Sequence, residues 1–359
     1  MTDRVEKIPV VGITIGDING IGPEVIVKAL RDNRILASFT PIVYGTNKVI
    51  SYYKKSLNLL DLNYQTIKSA SEAQIKKINL INVISEEVEI TPGVPTEISG
   101  MISFKALEKA TQDLSEGKID LLVTAPISKE NIQKSGFNFP GHTEYLAEMA
   151  GVDEALMVLI SQELRVALVT THIPVSEISK HLTKERLTQK VKLLEATLKK
   201  DFNIIKPKIA VFGLNPHAGE NGKIGAEEQQ VISPVIQNLK NEGILVYGPF
   251  AADGFFGSHA RNQYDGVLAM YHDQGLAAFK ALAFEDGVNY TAGLPIIRTS
   301  PDHGTAFDIS GKGLASEQSM RSAIFQAIDI WKNRSFQKEI SRNPLVIQAL
   351  KDKKDDNAE

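Results

Sequence analysis

Three histidines, His172, His217 and His272, each follow an apolar stretch that has the composition of a buried strand. Ligand sites in open α/β sheets lie at the carboxyl ends of parallel strands, so three imidazoles there could converge on one cation. Three histidines with an open position are typical of a catalytic metal site. The alternative is that each ring is a hydrogen-bonded structural histidine. The three stretches are Val166–Thr171, Ile209–Gly213 and Val267–Tyr271.

A glycine-rich segment, Gly16–Val25, joins a predicted strand to a helix that Pro23 could begin. Glycine lets the backbone turn sharply and approach a ligand closely, and free N–H groups at a helix N-terminus favour an anion. The segment therefore predicts either an anion-binding turn or a purely structural one. Its spacing does not match the dinucleotide-binding fingerprint, which argues against a classical Rossmann fold.

A second segment, Asp302–Gly313, is rich in small and polar residues, which is typical of a loop that wraps a ligand. His303, Gly304, Thr305 and Asp308 are its candidate cofactor-binding residues. A carboxylate such as Asp308 can accept a hydrogen bond from a ribose hydroxyl and would repel a 2′-phosphate, which favours NAD over NADP. The alternative is an ordinary surface loop.

Short apolar runs alternate with amphipathic stretches along the chain, which indicates an α/β fold with much parallel sheet. The predicted strands are Val10–Ile15, Pro41–Tyr44, Ile78–Val83, Asp120–Thr124, Ala155–Ile160, Arg165–Thr171, Lys208–Gly213, Ile244–Tyr247 and Gly266–Tyr271. The predicted helices are Pro23–Asn33, Phe104–Glu116, Thr183–Lys199, Ala226–Asn241 and Ser316–Trp331.

Composition excludes several classes of function. The net charge of -3 provides no basic field for nucleic acid, and the absence of cysteine excludes disulfides, thiolate catalysis and cysteine-bound metals. No apolar run approaches the roughly 20 residues that span a bilayer, and Met1–Pro9 lacks the apolar core of a signal peptide. We therefore expect a cytoplasmic protein without membrane partners. The charged stretch Lys351–Glu359 is predicted to be a solvated tail.

The two glycine-rich segments resemble those of the metal-dependent decarboxylating dehydrogenases, the isocitrate and isopropylmalate group. That group has Gly-Asp-Gly-Ile-Gly-Pro-Glu in the first segment and a proline before the aspartate of the second. Here Ile18 and Asn19 are two extra residues, and Phe307 replaces the proline. These departures indicate a sister family.

The chain resembles the 4-hydroxythreonine-4-phosphate dehydrogenase family over nearly its whole length. Where that family usually has Gly-(Asp/Glu)-Pro-(Ala/Ser)-Gly near the start, this chain has Ile18-Asn19, which leaves the shape of the first turn open. The further motifs that carry the resemblance are Pro140–Glu144, Thr171–Pro174, Gly213–Glu220, Gly248–Asp253, Tyr264–Gly275, Asn289 and Gly293–Arg298.

The resemblance implies a two-lobed isocitrate/isopropylmalate dehydrogenase-like α/β fold with an active-site cleft between the lobes. The first lobe is expected to be discontinuous, residues 1–145 and 290–359, and to carry the NAD loop. The second lobe, residues 146–289, is expected to carry the metal and the dimer interface.

The resemblance also assigns roles to residues. It makes His172, His217 and His272 the ligands of one divalent metal, shared between the subunits of a homodimer that also share the substrate site. Lys280 and Asp253 are the catalytic candidates, although Lys280 could also be an exposed helix lysine. The implied substrate-binding residues are His142, Thr143, Lys280, Asn289 and Arg298.

The implied reaction is oxidation of the carbon-3 hydroxyl of 4-phosphooxy-L-threonine by NAD, in pyridoxine 5′-phosphate biosynthesis. The product, 2-amino-3-oxo-4-phosphooxybutanoate, would lose carbon dioxide to give 3-amino-2-oxopropyl phosphate. Lys280 is expected to act as the base, provided that burial and the cation favour its neutral amine. Three imidazoles suit zinc, cobalt or nickel, and magnesium prefers oxygen ligands.

Three alternatives stay open at this point. A sister dehydrogenase would act on 4-phospho-erythronate, 4-phospho-threonate or an aromatic-acid dihydrodiol with the same catalytic residues. A phosphate acetyltransferase-like enzyme would bind a phosphorylated molecule without NAD. A binding or structural dimer would keep the fold without the chemistry.

Overall fold

The computed structural model describes residues 7–342, so the predicted tail Lys351–Glu359 lies outside the described residues. Within this range the chain is an α/β structure with twelve strands in one sheet. The strands are β1 (Val10–Thr14), β2 (Thr40–Gly45), β3 (Tyr64–Ile67), β4 (Ile78–Asn82), β5 (Leu121–Thr124), β6 (Leu156–Ile160), β7 (Arg165–Leu168), β8 (Ile209–Phe212), β9 (Val246–Phe250), β10 (Gly266–Ala269), β11 (Val288–Ala292) and β12 (Arg298–Pro301).

The helices cover both faces of this sheet and include all five that the sequence predicts. They are α1 (Gly22–Ala29), α2 (Asn47–Ser56), α3 (Glu97–Ser115), α4 (Lys129–Lys134), α5 (His142–Met149), α6 (Ile178–His181), α7 (Lys184–Lys200), α8 (Ser233–Asn241), α9 (Ala252–Phe256), α10 (His272–Leu282) and α11 (Gln318–Ile340). None of the helices in residues 7–342 combines the length and the apolar composition that crossing a membrane requires.

The sheet consists of two parallel blocks that run in opposite directions. Its strand order is β3-β4-β2-β1-β5-β12-β11-β6-β7-β10-β8-β9. β11 is antiparallel to both β12 and β6, and β6 is antiparallel to β7, so three reversals separate the blocks. The predicted α/β class with much parallel sheet is confirmed. The division into lobes remains a prediction, and its expected 289/290 boundary falls inside β11.

The sequence pattern predicts nine of the twelve strands and misses β3, β11 and β12. β2 and β5 are buried at every residue, as expected for strands covered on both faces. β12 is equally buried, yet its sequence is Arg-Thr-Ser-Pro. Such a polar stretch lacks the β-branched and apolar signal of a core strand. Its polar atoms are satisfied inside the protein; for example, the Thr299 hydroxyl donates to the Ala323 carbonyl at 2.8 Å.

A buried cluster of polar side chains holds one face of β11. The Tyr290 hydroxyl donates to Asp201 Oδ2 at 2.6 Å, and Arg334 Nε donates to Asp201 Oδ1 at 2.6 Å. Tyr290 and Asp201 are 0 % and 2 % exposed. Successive side chains of a strand point to opposite faces, so Tyr290 fixes the strand while its neighbours Asn289 and Thr291 face the other way.

Candidate active site

The predicted substrate-binding residues converge on one cavity of about 230 Å³. Parts of both predicted lobes form its wall, including the ends of β5, β11 and β12 and the start of α5. The predicted site residues that line the cavity are His142, Thr143, His172, Lys280, Asn289, Arg298, His303 and Gly304.

Arg298 provides a buried positive charge at the start of β12, where it is 3 % exposed. Its Nε and Nη2 donate to Thr124 Oγ1 at 3.0 and 2.6 Å, and its Nη1 donates to Thr291 Oγ1 at 3.1 Å. Burial lowers the pKa of Arg298 to about 10, so the guanidinium stays charged at neutral pH. Because both partners are neutral hydroxyls, the charge is available to an anionic group of a ligand.

Four polar atoms in the cavity wall are buried without a hydrogen-bond partner among the described residues. Buried polar atoms are normally hydrogen-bonded, so such atoms call for a partner that the chain itself does not supply. A ligand that carries hydroxyl, amine or phosphate groups would satisfy them. The four atoms are His142 Nε2, Glu144 Oε2, Asn289 Oδ1 and His303 Nε2.

Two of these atoms belong to histidines that are neutral at pH 7. Burial lowers the pKa of His142 well below 6.5, and the charges of Arg298 and Lys129 lower it further. Burial also lowers the pKa of His303, whose Nδ1 lies 3.1 Å from the Gly304 carbonyl. A proton on that Nδ1 leaves Nε2 of His303 as an acceptor that faces the cavity.

Lys280 lies in the last turn of α10, beside a buried carboxyl group. Its Nζ is 3.2 Å from the backbone oxygen of Asp302 and 3.4 Å from Asp302 Oδ1. Burial raises the pKa of Asp302, and the charge of Lys280 opposes this effect. The role of Lys280 as base was conditional on burial, and its side chain is 41 % exposed in the single chain.

His172 and His272 form a pair at the carboxyl ends of β7 and β10. Their ring centroids are 6.0 Å apart. Nδ1 of His272 lies 2.7 Å from Asp273 Oδ1, and Nδ1 of His172 lies 3.8 Å from Glu144 Oε1. Each ring therefore has a carboxylate beside Nδ1, which leaves Nε2 as the nitrogen that can bind a ligand.

His217 and Asp253 line a different cavity, of about 430 Å³, together with Tyr271 and Gln274. The structure thus does not bring Asp253 to Lys280 within one chain. His217 lies in a tight loop after β8, in which every residue from 217 to 221 has a positive φ. Left-handed backbone is unfavourable for residues other than glycine, so the surrounding contacts must impose this shape.

Glu228 supplies those contacts. It is 3 % exposed, and its Oε1 and Oε2 accept from the backbone N and the Nδ2 of Asn215 at 2.8 and 3.0 Å. A Cβ added at Gly219 would lie 2.4 Å from Glu228 Oε2, so the loop folds directly over the carboxylate. The part that Glu228 plays in holding the His217 loop could not be predicted, because this residue lies within a predicted amphipathic helix.

The predicted cofactor loop, Asp302–Gly313, is packed on the first glycine-rich turn. The Ile21 N–H donates to the Thr305 carbonyl at 2.9 Å, and the Ser310 hydroxyl donates to the Asn19 carbonyl at 2.7 Å. This turn is buried throughout, and the N–H groups of Asp17, Asn19 and Gly20 donate within the protein, which favours the structural interpretation of the segment. The turn supports the predicted cofactor loop, and Asp308 of that loop is exposed.

Comparison with known proteins places the chain in a family. The family model described as "Pyridoxal phosphate biosynthetic protein PdxA" matches residues 37–327. The chain belongs to the PdxA family. A 4-hydroxythreonine-4-phosphate dehydrogenase of Bacteroides thetaiotaomicron is 51% identical over 97% of this chain and 95% of its own. The predicted family is therefore confirmed.

Solved structures of PdxA relatives have the same fold. A 4-hydroxythreonine-4-phosphate dehydrogenase from Burkholderia phymatum is 40% identical, with a TM-score of 0.74 over 90% of this chain and 99% of that one. The enzyme of the same name from Klebsiella pneumoniae is 36% identical, with a TM-score of 0.76 over 90% of this chain and 98% of that one. These similarities confirm the predicted fold class.

The histidine pair of this PdxA chain fits a divalent cation, but one chain does not complete the site. Two rings bound to one ion through nitrogen at about 2.1 Å have centroids roughly 5–6 Å apart, close to the observed spacing of His172 and His272. Carboxylates beside Nδ1 are typical of metal-binding histidines. Within residues 7–342, no three histidine or acidic side chains are grouped as a metal site.

Five polar residues that line the cavity of this PdxA chain were not predicted as site residues, and neither was Thr291, which binds Arg298; the five are Thr124, Lys129, Glu144, Ser300 and Asp302. Glu144 and Asp302 stand next to predicted site residues, so their position in the motifs was an available signal. Thr124 is far from Arg298 in the chain, and Thr291 lies on β11, a strand that was not predicted. Only the pairing of β12 with β5 and with β11 brings both threonines to Arg298.

Proposed function

We propose that the chain is an NAD-dependent, metal-requiring 4-hydroxythreonine-4-phosphate dehydrogenase. It oxidises the carbon-3 hydroxyl of 4-phosphooxy-L-threonine, and the resulting β-keto acid loses carbon dioxide to give 3-amino-2-oxopropyl phosphate. One cavity carries this proposal. It contains Arg298, whose hydrogen-bond partners are neutral, and four buried polar atoms without a partner, and it lies beside the His172–His272 pair. The names of the relatives specify the same substrate and reaction.

Substrate binding follows from the charges in the cavity. The guanidinium of Arg298 presents a planar donor group that suits a phosphate or a carboxylate. His142 and Asn289 contribute neutral acceptors that pair with hydroxyl or amine donors of the substrate, and Thr143 lies 3.5 Å from Thr291 at the same wall. These groups hold the substrate in one orientation, which is a large part of the catalytic effect.

His172 and His272 would hold the divalent cation, with His217 contributed across the contact of a homodimer. When bound there, such a cation lowers the pKa of the substrate hydroxyl and stabilises negative charge on its oxygen. Zinc, cobalt and nickel suit the imidazole ligands, and magnesium is the less favoured alternative. Asp253 lines the same cavity as His217, so in a homodimer we propose that Asp253 of one subunit reaches the substrate bound to the other subunit.

Lys280 is the proposed base. In its neutral form its Nζ would take the proton of the carbon-3 hydroxyl, and NAD, when bound, would supply the acceptor for the hydride of carbon 3. The carboxylate of Asp302, whose Oδ1 lies 3.4 Å from Nζ, can then accept this proton from the lysine. NAD would lie along His303, Gly304, Thr305 and Asp308, because this loop begins at the cavity and Asp308 is exposed to a ribose.

The proposal includes the setting of the enzyme. A cytoplasmic location, the absence of nucleic-acid and membrane partners, and the homodimer follow from the composition and the family resemblance. Size-exclusion chromatography with light scattering tests the dimer directly. A monomer that is fully active at nanomolar concentration would contradict the shared site.

The test of function is a direct assay. The protein is incubated with 4-phosphooxy-L-threonine, NAD and a divalent cation, and NADH absorbance and carbon dioxide are followed together. Parallel reactions with 4-phospho-erythronate, 4-phospho-threonate and a dihydrodiol of an aromatic acid separate the sister activities. We expect the amino acid substrate to be preferred. Preference for one of the others would assign the chain to that sister activity.

A further inference from the structure

The proposed substrate carries one positive charge, the ammonium group on carbon 2, and no negatively charged residue has so far been assigned to it. This ammonium distinguishes 4-phosphooxy-threonine from 4-phospho-threonate, which has a hydroxyl at the same carbon. A group that discriminates between them must interact differently with a cation and with a neutral hydroxyl. The inference that follows rests on the proposed function and deepens it.

Glu144 lies in the first turn of α5, where it faces the substrate cavity. Its Oε1 is 3.8 Å from His172 Nδ1, and its Oε2 is buried without a hydrogen-bond partner among the described residues. The Glu144 side chain as a whole is 36 % exposed, and a glutamate that keeps contact with solvent is a carboxylate at neutral pH. One of its oxygens is thus charged, shielded from solvent and free to accept a hydrogen bond.

The other acidic group of the cavity is already engaged. Asp302 lies 3.4 Å from Lys280 Nζ, and burial raises its pKa. Arg298 and Lys129, which also line the cavity, are positively charged and suit the phosphate and the carboxylate of the substrate. Glu144 is therefore the negatively charged group of the cavity that has an oxygen to spare for a cation.

Neutral acceptors are also present, but they discriminate poorly. Asn289 Oδ1 and His142 Nε2 can accept a hydrogen bond from an ammonium and from a hydroxyl alike. A hydrogen bond to one ionised group is about twice as strong as a neutral one, and only the pair of a carboxylate with an ammonium adds the attraction between two opposite charges. A buried carboxylate also loses more than a neutral acceptor does when its partner is replaced by a weaker donor.

We propose that Glu144 binds the carbon-2 ammonium of the substrate through Oε2 and sets the preference for the amino acid over its 2-hydroxy analogue. With the ammonium in place, the unpartnered oxygen gains a charged donor. With the 2-hydroxy analogue, the same oxygen receives only a neutral O–H. The discrimination thus arises from a buried group that is left poorly paired by the wrong substrate.

The test compares two substrates in two variants. Glu144→Gln keeps the shape of the side chain and removes its charge, and Glu148→Gln changes an exposed glutamate one turn later on the same helix. For Glu144→Gln we expect the ratio of kcat/KM with 4-phosphooxy-threonine to kcat/KM with 4-phospho-threonate to fall roughly 10- to 100-fold, because a loss that acts through His172 lowers both values alike. The Glu148→Gln variant should retain the substrate preference of the unmodified protein.

Other outcomes overturn the proposal. An equal loss with both substrates would show that Glu144 only positions His172, and no loss with either would show that it has no role. If the unmodified protein oxidises neither substrate, the proposed function fails on its own, and Glu144 is then judged by calorimetric binding. In that case, equal affinities of the Glu144→Gln variant and the unmodified protein for 4-phosphooxy-threonine would refute the assignment.

Discussion

The imidazole rings of His172 and His272 lie 6.0 Å apart, although 100 residues of chain separate them. Parallel pairing of β7 and β10 places both rings at the same edge of the sheet. Asp273 and Glu144 stand beside their Nδ1 atoms and leave both Nε2 atoms for a common ligand. This relationship connects the fold to the proposed chemistry.

Changing His272 to alanine should remove divalent metal from the protein, because the pair then loses one of its nitrogen donors. Asp273→Asn should weaken metal binding by roughly 10- to 100-fold, the usual effect of losing the carboxylate behind a metal-binding histidine. Isothermal titration with zinc measures both effects. His259→Ala, at an exposed position away from the cavity, is the control. Unchanged zinc affinity in His272→Ala would contradict the assignment.

Changing Arg298 to lysine should lower kcat/KM by roughly 10- to 100-fold, since a lysine keeps the charge but loses the planar set of donors. The loss should appear mainly in KM, because the guanidinium is proposed to bind an anionic group that persists through the reaction. Steady-state kinetics measure this effect, with Arg34→Lys as an exposed control. An Arg298→Lys variant with an unaltered KM would remove this residue from the binding site.

The sequence predicted where the candidate metal-binding histidines lie better than it predicted the residues that surround the cavity. His172 and His272 were placed at strand ends because an apolar run ends just before each of them, and the structure has them there. Arg298 lies on a strand too polar to be predicted. Its partner Thr124 is 174 residues away in the chain, and their contact depends on the pairing of β12 with β5. Such pairing is a tertiary property that local patterns do not encode.

The loop that carries His217 illustrates the same limit. The sequence placed His217 only after a predicted strand. In the structure the backbone is left-handed over five successive residues, and Glu228, on the next helical segment, accepts from Asn215 at the start of this loop. The domain boundaries and the sharing of the site between subunits came from the family resemblance, and both remain predictions.

Changing Glu228 to alanine should loosen the His217 loop, because the backbone N–H of Asn215 loses its acceptor and the side-chain amide of Asn215 keeps only Glu227. We expect a loss of about 1–3 kcal/mol in the free energy of unfolding. Hydrogen exchange across residues 214–225 should become faster, whereas Gln237→Ala on the exposed face of α8 should not change it. Equal protection of the loop in Glu228→Ala and in the unmodified protein would show that the loop does not depend on this carboxylate.

The stability of the protein should fall as pH decreases below about 6.5, partly because of His142. The folded state keeps this ring neutral, since burial holds its pKa well below 6.5, whereas the unfolded chain takes up the proton. The unfolded state is then favoured by up to about 1.4 kcal/mol per pH unit until the folded pKa is reached. Urea unfolding between pH 7.5 and 5.5 should show a shallower decline in His142→Gln. His303, whose pKa is also lowered, keeps its own share. Identical slopes in the two proteins would contradict the burial of His142.

The most direct test of the central claim is NADH formation from 4-phosphooxy-L-threonine by protein that has been stripped of metal and then resupplied. We predict no NADH without a divalent cation and restored turnover after addition of zinc or cobalt, with one carbon dioxide released per NADH. Full turnover by the metal-free protein would contradict the role of the histidines. The absence of NADH with every cation would contradict the proposed reaction.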